Sequence, residues 1–306
     1  MPNENIVQSQ NRHAYLIICH NNFKILQMLL SAIDDDRNDI YIHVDKKTVD
    51  VPFEDIQGAV CHSPLTFIER LSINWGGYSQ IAAELSLLSE ATKTPHVYYH
   101  LLSGVDFPLK SQANIHRFFD DNSGKEFISF DPCGERMEEY KDRIRYYHWF
   151  QDKIGRNSGK QVAVMDKLEN ASVRVQRILN IDRLKHCPYE VKKGANWFSI
   201  THDLAMYISS QKNISRYFGS SLCADELLVQ TLAYASPYRD NIARSNLRFI
   251  DWNRGSPYTF TMKDYTQLTQ SDFLFARKFD ESVDIGVVEA LAAYISTDKN
   301  ANILTE

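Results

Sequence analysis

Apolar runs of strand length alternate with amphipathic stretches along the first third of the chain. Residues 13–20, 40–45 and 97–102 are almost continuously apolar, as buried strands are. Residues 23–33 and about 78–92 instead carry apolar side chains at helical spacing. Strands that alternate with helices predict an α/β fold with a mostly parallel sheet flanked by helices. In such a sheet, ligands bind at the carboxyl ends of the strands.

The pattern changes in the second half of the chain. A strand at 126–130 closes a predicted nucleotide-binding half over 13–130. A stretch rich in charged and aromatic residues over 135–150 and a polar helix over 158–180 follow, and together they have the character of an insertion or lid. Later elements are predicted as strands at 197–200 and 247–250 and as helices from Thr201, from Ala224 and over 282–295. Because no internal repeat or low-complexity linker is found, one domain over 1–306 is expected, with the acceptor and catalytic half at 131–306.

Composition narrows the class of partner and the compartment. A formal net charge of -5 without a Lys/Arg cluster argues against a nucleic-acid partner. Five cysteines without a C-x-x-C pair fit reduced thiols in the cytoplasm. The first twelve residues lack a signal-peptide pattern, and no run approaches ~18 apolar residues, so no membrane span is expected. Peripheral contact with a membrane stays open, although no strongly basic amphipathic helix is evident.

Familiar cofactor and metal motifs are missing from the sequence. There is no G-x-G-x-x-G, no P-loop, no H-E-x-x-H and no zinc-type cysteine spacing. Asp34-x-Asp36 has the letters of a cation site, but it falls between a helix and a strand, where a solvated turn is the simpler interpretation. Neither a metal ion nor a cofactor is therefore expected.

Two charged pairs fit either a structural or a chemical role. Asp225 and Glu226 open an apolar helix, where acids stabilise the helix dipole, and capping needs only one of them. Arg277 and Lys278 lie between aromatic residues, which suits an exposed surface or a phosphate clamp. His43 lies inside a predicted strand, where a core histidine is more common than a ligand. The pattern alone leaves these alternatives open.

Eight short motifs occur in an order that is highly specific when taken together. They are His13-Ala-Tyr-Leu-Ile-Ile-Cys-His20, Ile42-His-Val-Asp-Lys46, Asn74-Trp-Gly-Gly77, Leu102-Ser-Gly-Val-Asp-Phe-Pro-Leu109, Gly194-Ala-Asn-Trp-Phe-Ser-Ile-Thr201, Ala224-Asp-Glu226, Leu247-Arg-Phe-Ile-Asp-Trp252 and Phe275-Ala-Arg-Lys-Phe-Asp280. Over about residues 13–280 the chain resembles the core-2/I-branching N-acetylglucosaminyltransferase and peptide O-xylosyltransferase family, a metal-independent group with a GT-A-type fold.

The resemblance implies a role for each motif residue. Glu226 matches the general base that takes the proton of the acceptor hydroxyl. The implied donor-binding residues are His20, His43, Asp45, Asp106, Trp197, Arg277 and Lys278. Among these, the last two match cations that stabilise the leaving diphosphate in place of a metal ion. The implied acceptor or secondary residues are Asp225, Trp252 and Lys263.

The implied reaction is an inverting, metal-independent transfer of xylose or N-acetylglucosamine from a UDP-sugar to a glycan or lipid-linked glycan, giving a β-linkage. In the branching enzymes an arginine precedes the clamp, and here Lys263 is the nearest candidate. The chain lacks the anchors and disulfides of secretory-pathway relatives, so a bacterial-type enzyme of surface polysaccharide synthesis is expected. Two alternatives stay open: a glycoside hydrolase that uses Asp106 and Glu226, and a non-catalytic carbohydrate-binding relative.

Overall fold

A six-stranded sheet organises the fold, which a computed structural model describes for residues 11–132, 137–255 and 257–303. The strands in chain order are β1 His13–Cys19, β2 Asn38–Val44, β3 Leu65–Phe67, β4 Tyr98–Ser103, β5 Asp106–Pro108, β6 Phe127–Ile128, β7 Phe198–Thr201, β8 Arg248–Ile250 and β9 Phe275–Arg277. The large sheet has the order β3-β2-β1-β4-β7-β6, and a small sheet has the order β5-β9-β8.

Most of the large sheet is parallel. Strand β1 pairs in parallel with β2 and β4, and β2 pairs in parallel with β3. Strand β7 runs antiparallel to both β4 and β6. The carboxyl ends of β1, β2, β3 and β4 therefore meet at one edge, which is where a ligand is expected.

Helices cover both faces of this sheet. They are α1 Phe23–Ile33, α2 Phe53–Gln57, α3 Tyr78–Ala91, α4 Gln112–Asp121, α5 Met137–Arg145, α6 Gln151–Ile154, α7 Lys160–Ile178, α8 His202–Ser209, α9 Ile214–Phe218, α10 Asp225–Ala235, α11 Tyr265–Thr269, α12 Glu281–Asp284 and α13 Gly286–Ile303. Short 3-10 helices lie at Arg183–His186, Arg239–Asn241 and Met262–Asp264. Among the described residues, no helix is both long and apolar enough to cross a membrane.

The side chains of β1 alternate between two hydrophobic cores, one on each face of the large sheet. Tyr15 and Ile17 pack with residues of α1, α4 and α13, whereas Ala14 and Leu16 pack with residues of α3, α8 and α10. Successive side chains of a strand point to opposite faces, so a strand that is covered on both sides is apolar throughout. This arrangement confirms the predicted α/β class with a mostly parallel sheet between helices.

The shortest elements depart from the prediction. The strand expected at 126–130 is reduced to β6, and the final helix, expected over 282–295, is divided into α12 and α13. Asp280 caps α12 by accepting a hydrogen bond from the Ser282 backbone amide at 3.0 Å. Strands β3, β5 and β9 have three residues each, too few for an alternating pattern to be visible in the sequence.

Candidate active site

The small sheet brings together two residues that are far apart in the sequence. In the antiparallel pair of β5 and β9, Asp106 lies opposite Arg277. Asp106 is fully buried, and its carboxylate accepts hydrogen bonds from the Ser103 amide at 2.9 Å and from Arg277 Nη1 at 2.7 Å. The Ser103 hydroxyl also donates to Asp106, at 2.7 Å. Asp106 was expected near the donor sugar; its burial makes it a residue that positions Arg277.

Arg277 and Lys278 lie where β9 ends. The Arg277 guanidinium carbon lies 4.2 Å from the centroid of the Trp197 ring, a cation–π contact that adds to its ion pair with Asp106. Lys278 is half-buried and, among the described residues, has no carboxylate within 4 Å of its ammonium group. The pKa of Asp280 is nevertheless lowered, first by its bonds to Ser282 and also by the charge of Lys278.

Arg248 fastens the small sheet to the large one. Its guanidinium is buried and donates to the carbonyls of Leu101 at 3.1 Å and Phe198 at 2.6 Å, and to the Ser199 hydroxyl at 2.8 Å. Burial lowers the pKa of Arg248 to about 9, so this guanidinium stays charged at neutral pH. The cations of β9 are thereby held in a fixed position relative to β4 and β7.

Glu226 lies in the first turn of α10, with its side chain 35% exposed. Its Oε2 atom accepts a hydrogen bond from Arg143 Nη1 at 2.9 Å and lies 3.5 Å from the Lys193 ammonium. Lys193 also contacts Asp131 at 2.6 Å, and although burial lowers the pKa of Lys193, Asp131 and Glu226 raise it overall. Both cations approach the same carboxylate oxygen, Oε2.

The five residues from Lys193 to Trp197 connect Glu226 to Arg277. At one end, Lys193 contacts Glu226, and the Gly194 amide donates to the Glu226 carbonyl at 3.1 Å. At the other end, Trp197 stacks on Arg277. Four Cα–Cα steps of ~3.8 Å span at most ~15 Å, so this length is the upper limit on the distance between the Cα atoms of Lys193 and Trp197. A Cβ atom at Gly194 would lie 1.9 Å from the Ser129 carbonyl oxygen, so this close approach requires glycine.

Two buried carboxyl groups lie behind Glu226. Burial first, and then the charge of Glu226, raise the pKa of Asp225 to about 6. Burial and Asp225 likewise raise the pKa of Glu84, which accepts a hydrogen bond from the Asn196 amide group at 2.5 Å. Asp225 accepts from Gln80 at 3.2 Å. The two acids therefore lie beneath Glu226 and the segment that leads to Trp197.

The carboxyl ends of β1 and β2 carry the other residues implied for the donor. His20 is exposed, and its pKa is lowered first by desolvation and also by Lys47 and Arg277, whereas Asp45 raises it. Asp45 accepts hydrogen bonds from the backbone amides of Lys47 at 2.9 Å and Ile73 at 3.3 Å. His20 directly follows β1 and Asp45 directly follows β2, and the Asp45 amide donates to the Cys19 carbonyl at 2.9 Å, so both residues lie at the carboxyl edge of the sheet.

His43 does not reach this edge with its side chain. It is fully buried, and its Nε2 accepts a hydrogen bond from the Leu71 amide at 2.9 Å. Burial lowers its pKa, which fits a neutral imidazole. This burial corrects the donor contact implied for His43: the ring instead supports the backbone of the loop that follows β3.

The implied acceptor and secondary residues are divided between exposed and buried positions. Trp252 is 60% exposed just after β8, whose parallel neighbour β9 ends at Arg277. Lys263 is exposed in the 3-10 helix Met262–Asp264, close in the chain to Phe260, whose amide donates to the Lys278 carbonyl at 3.0 Å. Asp225, by contrast, lies under Glu226.

The acidic turn considered as a cation site has backbone partners. Asp34 accepts hydrogen bonds from the amides of Cys61 at 2.8 Å and Ser63 at 2.8 Å, which lower its pKa against the effect of desolvation. In the described part of the chain, no group of three or more His, Cys, Asp or Glu side chains is arranged to hold a metal ion. Asp34 is therefore a structural cap.

Several residues around Glu226 were not predicted as site residues. Arg143 comes from the charged, aromatic stretch that was expected only as an insertion or lid, and Lys193 directly precedes the Gly194 motif. Glu84 lies on a predicted helix with nothing to mark it. The charge of the insertion was the signal that could have pointed to Arg143.

Comparisons with known proteins address the family. The family model described as Core-2/I-Branching enzyme matches residues 13–274, which is more than half of the chain. Rat xylosyltransferase 2 is 23% identical over 92% of this chain and 33% of its own length. The human β-1,3-galactosyl-O-glycosyl-glycoprotein β-1,6-N-acetylglucosaminyltransferase is 23% identical over 92% of this chain and 69% of its own length. The chain thus spans about a third of the xylosyltransferase it matches.

Solved structures resemble the chain only distantly. The apo form of mouse xyloside xylosyltransferase 1 covers 87% of this chain with a TM-score of 0.36 and 8% identity, the match spanning 96% of that structure. A complex of S. aureus TarS with UDP covers 41% of this chain, at a TM-score of 0.29 and 16% identity, over 37% of its own length. The family match rests on the sequence, and its range includes β1 to β8 and Glu226. The chain belongs to the Core-2/I-Branching enzyme family.

Proposed function

We propose that the chain is an inverting glycosyltransferase that uses a UDP-sugar donor and Glu226 as its general base. The acceptor oxygen attacks the anomeric carbon on the face opposite the diphosphate, and the bond from that carbon to the phosphate oxygen breaks. The acceptor proton passes to Glu226, and the negative charge that develops on the diphosphate is stabilised by Arg277 and Lys278. One displacement inverts the anomeric carbon, so an α-linked donor gives a β-linked product.

The segment from Lys193 to Trp197 is the observation that carries this proposal. It contacts the proposed base at one end and stacks on Arg277 at the other. A carboxylate and a cationic site joined by one five-residue segment correspond to the two ends of the reacting group: the hydroxyl that loses a proton and the diphosphate that leaves. Rigid placement of both ends lowers the entropic cost of the reaction.

The cations support a reaction without a metal ion. Arg277 is fixed by Asp106 and Trp197, and Lys278 has no close carboxylate in the described part of the chain. Two positive charges beside the leaving group supply the electrostatic stabilisation that a divalent cation gives in other enzymes. The proposal therefore includes activity in the presence of a chelator.

A glycoside hydrolase that uses Asp106 and Glu226 fits the geometry less well. Both oxygens of Asp106 accept hydrogen bonds from Ser103 or Arg277, and the side chain is fully buried. A hydrolase needs two carboxyl groups that face the scissile bond from opposite sides. A non-catalytic binding protein would not require the arrangement of Glu226 and the cations, so we favour the transferase.

The proposal also assigns a donor sugar, an acceptor and a cellular location, which are supported by the named relatives and by the free cysteines. The donor sugar is xylose or N-acetylglucosamine, because the named relatives transfer these sugars. The acceptor is a glycan or lipid-linked glycan used in bacterial surface polysaccharide synthesis. A cytoplasmic location is supported by Cys19, Cys61, Cys187 and Cys223, which are free thiols.

The test is a panel of UDP-sugars given to the purified protein in EDTA and in added Mn²⁺, with bound and released UDP measured. The proposal predicts UDP release from UDP-xylose or UDP-N-acetylglucosamine that survives EDTA. Release that requires Mn²⁺ would refute the cationic stabilisation. Failure to bind any UDP-sugar would refute the donor class.

A further inference from the structure

Helix α7 exposes an apolar stripe along its outer side. Its inner side is fixed by two buried polar residues: Glu169 accepts from the Phe150 amide at 3.0 Å, and Gln176 accepts from the Tyr147 amide at 2.8 Å. The outer side carries large apolar side chains that are more than half exposed: Val164 57%, Leu168 51%, Val175 52%, Ile178 78% and Leu179 65%. At 3.6 residues per turn these five fall within about 100° of arc and extend over ~22 Å. An apolar stripe of this size on a surface marks an interaction site.

One edge of the stripe is basic. Lys160, Lys167 and Arg174 are seven residues apart and exposed, so they form a line along one side of the apolar residues. Among the described residues, none of the three has a carboxylate within 4 Å. The chain as a whole has a net charge of -5, so this line is a positively charged strip on a protein that is negatively charged overall. An apolar helical face flanked by lysine and arginine is the pattern of helices that lie in an anionic membrane interface.

A second copy of the chain fits this face poorly. An antiparallel pair of α7 helices joined through the stripe would place each basic line against the same line of the other copy. A parallel pair would place it against the other edge, where Gln161 and Ser172 offer no negative charge. Like charges at such close distances are destabilising. Phospholipid head groups of negative charge, in contrast, complement the lysines and arginine while the acyl region accepts the apolar side chains.

We propose that the outer face of α7, consisting of the stripe and its basic line, docks the protein on an anionic phospholipid surface. The sequence predicted this helix as polar because its apolar residues are divided between an inner and an outer side. The segment before α7 connects this face to the active site. Arg143 of α5 donates to Glu226, and the residues that follow α5 pack on the inner side of α7. Delivery of a lipid-linked acceptor to Glu226 is a consequence that rests on the proposed function; the docking itself does not.

The experiment is flotation of the full chain with vesicles of phosphatidylcholine alone or mixed in equal parts with phosphatidylglycerol. Wild-type protein is expected to float with the anionic vesicles, and about 0.5 M salt is expected to reduce this binding because it screens the basic line. Leu168→Ser with Ile178→Ser should weaken partitioning by at least ~10-fold, because two exposed apolar side chains no longer enter the lipid. Lys160→Gln with Lys167→Gln and Arg174→Gln should weaken binding to anionic vesicles by more than ~10-fold and leave binding to neutral vesicles unchanged.

The matched control is Met206→Ser with Val283→Ser, which removes two exposed apolar side chains that lie outside α7. This variant should float as the wild type does. Equal flotation of the wild type and the Leu168/Ile178 variant, or no flotation with either vesicle, would overturn the proposal. Light scattering that shows a dimer, which the Leu168/Ile178 variant converts to a monomer, would assign the face to self-association instead. UDP release by all variants in detergent-free buffer separates failure of docking from failure of the proposed function.

Discussion

Replacement of Asp106 by asparagine tests whether the buried carboxylate positions Arg277. In the wild type, one carboxylate oxygen accepts from the Ser103 amide, and the other accepts from the Ser103 hydroxyl and from Arg277 Nη1 at 2.7 Å. Asparagine has only one oxygen, so its NH₂ group must face either the Ser103 N–H or the guanidinium, both of which are donors. The substitution therefore loses a charge-assisted hydrogen bond and leaves Arg277 without its anionic partner.

The size of the effect follows from burial. Breaking a fully buried ion pair costs about 3–5 kcal/mol. The Arg277 side chain is 20% exposed and regains some hydration, so the lower end of that range, about 3 kcal/mol, is expected. For a chain of this size such a loss lowers the Tm by roughly 5 °C. UDP affinity should fall by at least ~10-fold, because Arg277 loses its carboxylate partner and keeps the Ser103 hydroxyl and the Trp197 ring, which carry no negative charge.

The control is Asp39→Asn, which breaks a similar pair at the amino end of β2. There Arg12 contacts Asp39 at 2.5 Å, and both side chains are largely buried. Urea unfolding should show a comparable loss of stability for both variants, whereas calorimetric titration with UDP should show weaker binding only for Asp106→Asn. Wild-type stability together with wild-type UDP affinity in Asp106→Asn would refute the reasoning. Equal UDP affinity in the two variants would leave Asp106 with a structural role alone.

Three further predictions concern the cation, the buried acids and the connecting segment. Lys278→Ala should weaken UDP binding by ~10-fold or more, since a charge-assisted contact to phosphate is lost; the exposed Lys212→Ala is the control, and an unchanged Kd would contradict the clamp. Asp225 keeps its proton up to pH about 6 when folded but releases it near 3.8 when unfolded, so stability falls as pH rises through this window. Asp225→Asn should remove this loss, about 2 kcal/mol between pH 4 and 7 in urea unfolding, and an unaltered pH dependence would contradict it. Gly194→Ala should cost about 1–3 kcal/mol and reduce turnover, because its Cβ would lie 1.9 Å from the Ser129 oxygen; wild-type values for both would show that the segment shifts freely.

The long buried strands and the helices could be predicted because their patterns are local. Strands β1, β2 and β4 are covered on both faces, so almost every residue is apolar, and α3 carries its apolar residues at helical spacing. Strands β5 and β9 are formed by pairing between residues 171 positions apart, as Asp106 and Arg277 show. A pairing of this kind depends on tertiary structure and leaves no periodic signal in three residues.

The candidate site was predicted as separate residues, and their mutual contacts were not. The resemblance pointed to Glu226, Trp197 and Arg277, but it did not indicate that the segment after Lys193 joins them. The partners of Glu226 come from α5 and from the start of that segment, where charge alone cannot distinguish a ligand of the base from a solvated surface. The burial of His43 and Asp106 also depends on the packing of loops around the strand ends.

Turnover by Glu226→Gln, measured beside UDP affinity, tests the central claim most directly. Glutamine keeps the shape of the side chain and can still accept the Arg143 hydrogen bond, but it cannot take a proton at neutral pH. We predict a fall in turnover of at least ~100-fold with a UDP Kd within ~3-fold of wild type. Turnover close to that of the wild type, with either xylose or N-acetylglucosamine as the donor sugar, would contradict the assignment of Glu226 as the general base.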